Sequence, residues 1–480
     1  MTFQRICQCA LLLAGAAMPA CAVGPEYVKP PIVTPPAFKE SALPDGTVDA
    51  RWRPADPKDA AFKGNWWEVF ADPPLSALEE QVTISNQNVA QAEAAFRAAR
   101  AAIGGARAGL FPTVTVGASA SASSASANRS SFANAINRGV ATDYQLPVDF
   151  SYEADVWGGV RRSIQANRAI AQATAADLET VTLSMRADLA IDYFQLRSLD
   201  AQRELLDSTV AAYDKALQLT VARHDQGVAS GSDVAQARTQ LDTTRSQATD
   251  LGVARAQFEH AIAILVGKPP AMLTIPASPL AGTPPSVPVA LPSELVERRP
   301  DVASAERRVA AANAQIGVAK AAYFPNVSLT GSGGLESAAL ATLLGGGSGL
   351  WSVGASVVAT AFEGGRRHAA MEQAIANRDA ATAAYRQDVL TAFQDVEDNL
   401  AALRILADEG AQHADAVASA EQSLSLAMTR YEAGVTTYLE VITAQSVALA
   451  NQITAVDILA RRMTASVQLI KALGGGWKSS

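Results

Sequence analysis

The chain contains two copies of one pattern. Arg223-His224-Asp225-Gln226-Gly227-Val228, followed by Asp233-Val234 and Ala237, returns 207 residues later as Arg430-Tyr431-Glu432-Ala433-Gly434-Val435, followed by Glu440-Val441 and Ala444. The register holds to Gly267 and Gly474. Upstream, Phe111-Pro112 answers Phe324-Pro325 at an offset of 213, and Gly158-Gly159 answers Gly364-Gly365 at 206. A repeat of this length means one supersecondary plan used twice. The offset changes between the Phe-Pro and Gly-Gly markers, and insertions collect in surface loops, so each copy is expected to carry its main exposed loop there.

The same interval switches to a period of two. Leu146, Val148, Phe150, Tyr152, Ala154 and Val156 alternate with Gln145, Asp149, Ser151, Glu153 and Asp155, giving one apolar and one acidic face. Val114 and Val116 alternate with Thr113 and Thr115, Val327 and Leu329 with Ser328 and Thr330, and Trp351, Val353, Ala355 and Val357 with Ser352 and Ser356. Four strands in two hairpins follow, 113–156 and 326–362, with small or polar links from Ser119 to Thr142 and from Gly331 to Gly349. Four strands cannot close a barrel, the smallest of which has about eight. Several chains must share one, with Phe150 and Tyr152 toward lipid and Asp149, Glu153 and Asp155 toward a cation-favouring lumen. The alternative is a pair of soluble hairpins packed on helices.

The rest of each copy reads as helix. No proline or glycine interrupts Arg161 to Gln226, and about 65 helical residues extend ~100 Å. The apolar positions Leu178, Val181, Met185, Leu189, Tyr193, Leu196, Leu199, Leu206, Val210, Tyr213, Leu217 and Val221 step mainly by three and four, the spacing of a coiled-coil seam. The next helix has a cleaner seam, Val234, Ala237, Leu241, Thr244, Ala248, Leu251, Phe258, Ile262 and Leu265, with Arg255 as its charged interruption and Arg462 at the matching place of the second copy. The turns Gly227 to Gly231 and Gly434 to Thr437 are expected to form two tips at the end remote from the strands. Glycine there also serves as an ordinary helix C-cap.

The N-terminus has a basic start at Arg5, an apolar run from Ile6 to Ala17 and small residues at Ala20 and Ala22, which is a secretory leader pattern. All three cysteines, Cys7, Cys9 and Cys21, lie within it or at its end. Met18-Pro19-Ala20-Cys21 reads as a lipobox that leaves a lipid-bearing Cys21, or Ala20-Cys21-Ala22 reads as a plain cleavage site. Pro30, Pro31, Pro35 and Pro36 keep the following tether extended. No later segment offers the ~18 apolar residues of a spanning helix, so a membrane passage here requires β-structure.

Other classes find little support. A net charge of −8 gives no basic footprint for nucleic acid. His224, His260, His368 and His413 stand singly, outside any H-x-x-x-H or H-E-x-x-H metal pair, and the Gly345–Gly349 run lacks the Lys-Ser/Thr of a phosphate loop. No catalytic residue, metal site or cofactor is expected.

Cys21-Ala22-Val23-Gly24-Pro25-Glu26-Tyr27, Trp66-Trp67 with Phe70, Asp72-Pro73 and Leu75, Arg298-Arg299-Pro300-Asp301-Val302, Phe324-Pro325, and Lys471-Ala472-Leu473-Gly474-Gly475-Gly476-Trp477 together resemble the NodT and OprM branch of the TolC outer-membrane factors. The resemblance spans nearly the whole chain. It implies an α+β membrane protein: a homotrimer with a 12-stranded transmembrane β-barrel, four strands per chain, continued by a long α-helical coiled-coil barrel and an equatorial belt. The expected segments are a signal peptide 1–20, a lipidated tether and equatorial segment 21–73, a first repeat 74–270, a Pro-rich linker 271–291, a second repeat 292–474 and a tail 475–480. The implied partners are outer-membrane lipid, a periplasmic membrane-fusion adaptor and an inner-membrane transporter, most often of the RND type. The implied function is the outer-membrane duct of a tripartite efflux pump in a Gram-negative bacterium. Type I protein secretion, or a pore-free periplasmic coiled-coil lipoprotein, are the alternatives.

By the same resemblance the periplasmic gate falls on Tyr431, Leu439, Glu440 and Thr443, with Asp233 as a polar partner. Leu439 is the expected steric stop and Glu440 a focused negative charge. Gly227, Val228, Gly434 and Val435 become the tips against which an adaptor docks. Thr436 stands where TolC has arginine and Thr443 where the family has aspartate, two departures from the family's pattern that leave open whether the gate uses a salt bridge.

Overall fold

The computed structural model describes residues 22–35, 38–40, 64–124, 140–285 and 298–475; the leader and Cys21 lie outside them. Seven α-helices and five β-strands are found among the described residues. In chain order they are α1 (Pro73–Ser85), α2 (Gln87–Ala108), β1 (Thr113–Val116), β2 (Ser119–Ser123), β3 (Ala141–Ala154), α3 (Gly159–Asp225), α4 (Gly231–Leu265), α5 (Pro300–Ala321), β4 (Asn326–Ser337), β5 (Gly349–Val358), α6 (Arg366–Glu432) and α7 (Tyr438–Ala472). A short 3-10 turn, Trp66–Phe70, precedes α1.

The repeat is reproduced to the residue. α3 and α6 are 67 residues each, and α4 and α7 are 35 each. The offset of 207 links both ends of both pairs. Local signals suffice for this: proline-free runs propagate the helices, with Gly252 and Gly410 tolerated inside α4 and α6, and a glycine in the left-handed region follows each end, Gly227, Gly267, Gly434 and Gly474.

The repeat is nevertheless not the unit of packing. One compact unit gathers residues 1–30, 97–173 and 306–384, the other 31–96, 174–305 and 385–480, so each copy contributes to both. The first unit contains the sheet, in the order β1-β3-β4-β5, all antiparallel, with β2 beside β1 on the same side of β3. Two expectations change here. Ser119–Ser123 is a strand rather than part of a link, and β4 runs on through Gly331, Gly333 and Gly334 to Ser337. Serine, alanine and glycine give no alternation to read, but the long β3 offers ladder hydrogen bonds along its whole length, and backbone groups there must be paired.

The second unit holds the main core. Trp66, Trp67, Leu75 and Val82 pack with Tyr193 and Leu196 of α3, Ile262 of α4, and Val467 and Ile470 of α7. Asp72 caps α1 by accepting from Leu75 N at 3.0 Å, and its carboxylate also receives the Tyr193 hydroxyl at 2.9 Å. Each copy closes with a clasp onto its 35-residue helix. Asn86 donates to Leu265 O at 2.7 Å in the first. In the second, buried Arg299 donates to Ala472 O at 3.2 Å while pairing with Asp301 and Asp395. The seam residues Ala237, Leu241, Thr244, Ala248 and Ile262 are buried as the heptad predicts. Arg255 leaves the seam to bind Asp200 at 2.7 Å and Ile275 O at 2.7 Å, which pins the start of the Pro-rich linker to the helices.

Candidate functional site

Three regions carry the features expected of a duct: the sheet, the corners where strands become helices, and the helix tips. In the sheet, cross-strand pairs share a face. Val114, Phe150, Gly331 and Val353 form one row, and Val116, Val148, Gly333 and Trp351 the next. Their large side chains are exposed to the outside of the chain. The opposite face carries Asp149 beside Thr115, Ser332 and Ser352, and Glu153 beside Ser328. Asp143 and Glu336 join it, for Gln145 pairs with Glu336 across the ladder and lies two residues from Asp143. Both were missed in the sequence, where the alternation was followed only from Gln145 onward. Among the described residues no strand contains Lys, Arg or His, so four carboxylates face one side uncompensated by strand residues.

Asp155 departs from this face. It lies beyond the end of β3, its side chain is only 8% exposed, and it pairs with Arg161 at 3.0 Å. It also accepts from Val160 N at 2.8 Å, satisfying an orphan donor of the first turn of α3. Its period-two position matched the lumen set, but the helix N-terminus it caps takes the carboxylate. The second corner repeats the device, with Glu363 accepting from Arg367 N at 3.0 Å and pairing with the Arg367 guanidinium.

At the tips, Gly227 (φ +75°) and Gly434 (φ +74°) adopt the left-handed conformation that ends each long helix. At the first tip Val228 N donates to Arg223 O at 2.8 Å and Gly227 N to His224 O at 2.8 Å, and at the second Val435 N donates to Arg430 O at 2.9 Å and Gly434 N to Tyr431 O at 2.9 Å, the paired bonds of a Schellman turn at each. The turns leave Val228 and Val435 projecting into solvent.

The five expected gate residues do not converge. Leu439, Glu440 and Thr443 line a groove of about 690 Å³ between α6 and α7, with Leu426, Arg430 and Val447. Leu439 is 58% exposed, so nothing within the single chain covers it. Tyr431, by contrast, is 4% exposed and packs with Tyr438, Ala216, Ala237 and Val441. Its hydroxyl lies 3.1 Å from Thr220 Oγ1, and Arg223 both covers its ring at 4.6 Å and donates to its carbonyl at 2.5 Å. Tyr431 therefore ties two helices together and presents nothing to a constriction. Asp233 is consumed in a capping box, accepting from Ser230 N at 3.0 Å while Ser230 Oγ accepts from Asp233 N at 3.2 Å. Thr443 bonds back to Leu439 O at 2.9 Å within its own helix.

A salt bridge does stand at the second tip: Arg430 meets Glu440 at 3.4 Å across the turn. The matching pair of the first copy, Arg223 and Asp233, is split between Tyr431 and the cap. Both arginines belong to the repeated motif, Arg223 in the first copy and Arg430 in the second. Beneath the tips, burial and the neighbouring Tyr431 and Tyr213 push the Tyr438 phenol up to about 12, so it stays neutral and un-ionised in the packing.

Among the described residues no group of His, Cys, Asp and Glu could hold a metal ion, and no helix is long and apolar enough to cross a membrane.

The chain matches the family model described as outer membrane efflux protein over residues 78–268 and 291–475. It is 33% identical to the toluene efflux pump outer membrane protein TtgF of Pseudomonas putida, covering 96% of this chain and 95% of that one. It is 31% identical to the pyoverdine export outer membrane protein OpmQ of Pseudomonas aeruginosa, covering 92% and 94%. Among solved structures it is similar to the outer-membrane channel OprN, with a TM-score of 0.83 and 30% identity over 95% of this chain and 100% of that one. With the repeat, the two-faced sheet and the paired helical tips, these matches establish that the chain belongs to the outer membrane efflux protein family.

Proposed function

We propose that three copies of this chain close their sheets into one barrel and form the outer-membrane channel of a tripartite efflux pump, lipid-anchored in a Gram-negative bacterium. One observation carries the proposal: both outer edges of the sheet lack a strand partner among the described residues, while one sheet face exposes a continuous apolar surface. Unpaired edges are costly in lipid, and pairing β5 of one copy with the β1–β2 side of the next removes every edge. Asp143, Asp149, Glu153 and Glu336 then line the lumen and favour cations. Leu439 forms the steric stop at the periplasmic tips and Glu440, held by Arg430, the charged ring, while Gly227, Val228, Gly434 and Val435 meet a periplasmic adaptor coupled to an inner-membrane transporter of the RND type. Cys21 carries the lipid. Relatives named for toluene and pyoverdine favour small-molecule efflux over protein secretion.

Detergent-purified protein should run as a trimer and conduct in planar bilayers with cation preference. A monomer would reject the shared barrel, and a trimer that stays without conductance when Leu439 and Glu440 are both replaced by alanine would reject the channel. Intact-mass analysis should find Cys21 as the first residue bearing acyl chains, and Val23 as the first residue would reject lipidation.

A further inference from the structure

The segment after Cys21 has no regular secondary structure, yet it is held residue by residue in a slot between α3 and α5. Val23 N donates to Trp157 O at 3.1 Å. Arg162 of α3 donates to Val23 O at 3.2 Å and to Gly24 O at 3.3 Å, and binds Glu26 at 3.0 Å. From α5, Asn313 donates to Pro25 O at 3.1 Å, and Glu306 accepts from the Tyr27 hydroxyl. Gly24 (φ +112°) lies so close to α5 that a β-carbon on it would sit 2.5 Å from Gly317 Cα. The Arg162 side chain is 4% exposed, and among the described residues every acceptor it has apart from Gln165 at 3.0 Å comes from residues 23–26. A buried guanidinium needs its partners, so the slot is incomplete without the strap. Beside it, Trp157 stacks on Phe324 at 4.6 Å and donates to Pro325 O at 2.8 Å, joining the Phe-Pro marker of the second copy to the corner where β3 turns into α3.

We propose that residues 22–27 act as an internal peptide ligand whose seating in the α3–α5 slot fixes the strand-to-helix corner, independently of any lipid on residue 21. The slot recognises an extended peptide mainly through its carbonyls, with glycine required at position 24. The test is hydrogen exchange read by mass spectrometry on the full-length purified protein, with lipid status checked by intact mass in the same sample. In the wild type, the Val23 amide of the strap, which donates to Trp157 O, and the corner 155–165 should both be protected. Gly24→Ala should lose protection in both segments, whereas Cys21→Ser should keep it in both. If Gly24→Ala leaves 155–165 protected, the strap does not set the corner. If Cys21→Ser loses both, the acyl chain rather than the peptide is the brace, and the proposal falls. Should Gly24→Ala fail to accumulate, Asn313→Ala removes a single strap contact and should raise exchange in both segments; unchanged exchange overturns the proposal equally. A channel with no conductance but with this exchange pattern would separate the strap from the efflux function.

Discussion

Glu79→Gln should make the protein more stable in neutral and alkaline solution and leave it unchanged in acid. Glu79 lies on α1, is 0% exposed, and neither carboxylate oxygen has a hydrogen-bond donor among the described residues. The cation nearest in effect, Arg186, is committed to Thr83 at 2.5 Å and to the Trp67 ring at 4.6 Å, and its Nε is itself without an acceptor. Burial outweighs the attraction of Arg186 and pushes the Glu79 carboxyl well above its ordinary value of 4.5. The folded state therefore binds a proton that the unfolded chain releases. The stabilisation is fully present below pH 4.5 and is lost as pH rises through the folded value. Within that window each pH unit costs about 1.4 kcal/mol per chain. Glutamine keeps the shape and the unsatisfied polar group but has no proton to lose. Glu79→Met also removes the desolvated group and should add about 1–3 kcal/mol at every pH. The assay is guanidinium unfolding of the three proteins followed by far-UV circular dichroism from pH 4 to 8, taken as differences so that other titrations cancel. Parallel profiles for wild type and Glu79→Gln would show that Glu79 is ionised and partnered in the assembled protein, and would refute the reasoning.

Phe150→Arg should reduce the yield of detergent-stable trimer far more than Asp149→Arg, since a charge on a barrel's lipid face costs about 2–4 kcal/mol at mid-membrane; equal yields would count against the two faces assigned. Leu439→Ala with Glu440→Ala should raise closed-state conductance in planar bilayers without adaptor, while the exposed Arg430–Glu440 pair it breaks is worth at most about 1 kcal/mol to the fold; wild-type conductance would remove both residues from the gate. Ser230→Ala should cost about 1 kcal/mol and loosen the first tip to limited proteolysis, whereas Thr437→Ala, which makes no side-chain cap bond, should not; equal sensitivity would show that the capping box is not what holds that tip.

The residues that were legible in the sequence act through near neighbours. The Schellman turns at Gly227 and Gly434 need only a glycine and the helix behind it. The acidic face of β3 was legible because a strand alternates by geometry. Tyr431 and Asp233 were placed at the gate by alignment, but alignment carries no information about which way a side chain turns. Tyr431 found Thr220 and Arg223 across a helix pair, and Asp233 found its own backbone three residues back.

The sequence alone determined the duplication, the lengths of the four long helices, the two tips and the two-faced strands, because each depends on a local period or a local stop. Tertiary structure alone decided that the two copies interleave into common units, that serine- and glycine-rich stretches complete the sheet, that Arg162 and residues 23–26 need one another, and that Glu79 is buried without a partner. Those outcomes depend on groups brought together from hundreds of residues apart, and the energy of a buried charge or an unpaired backbone group is set by what surrounds it in space rather than by what adjoins it in the chain.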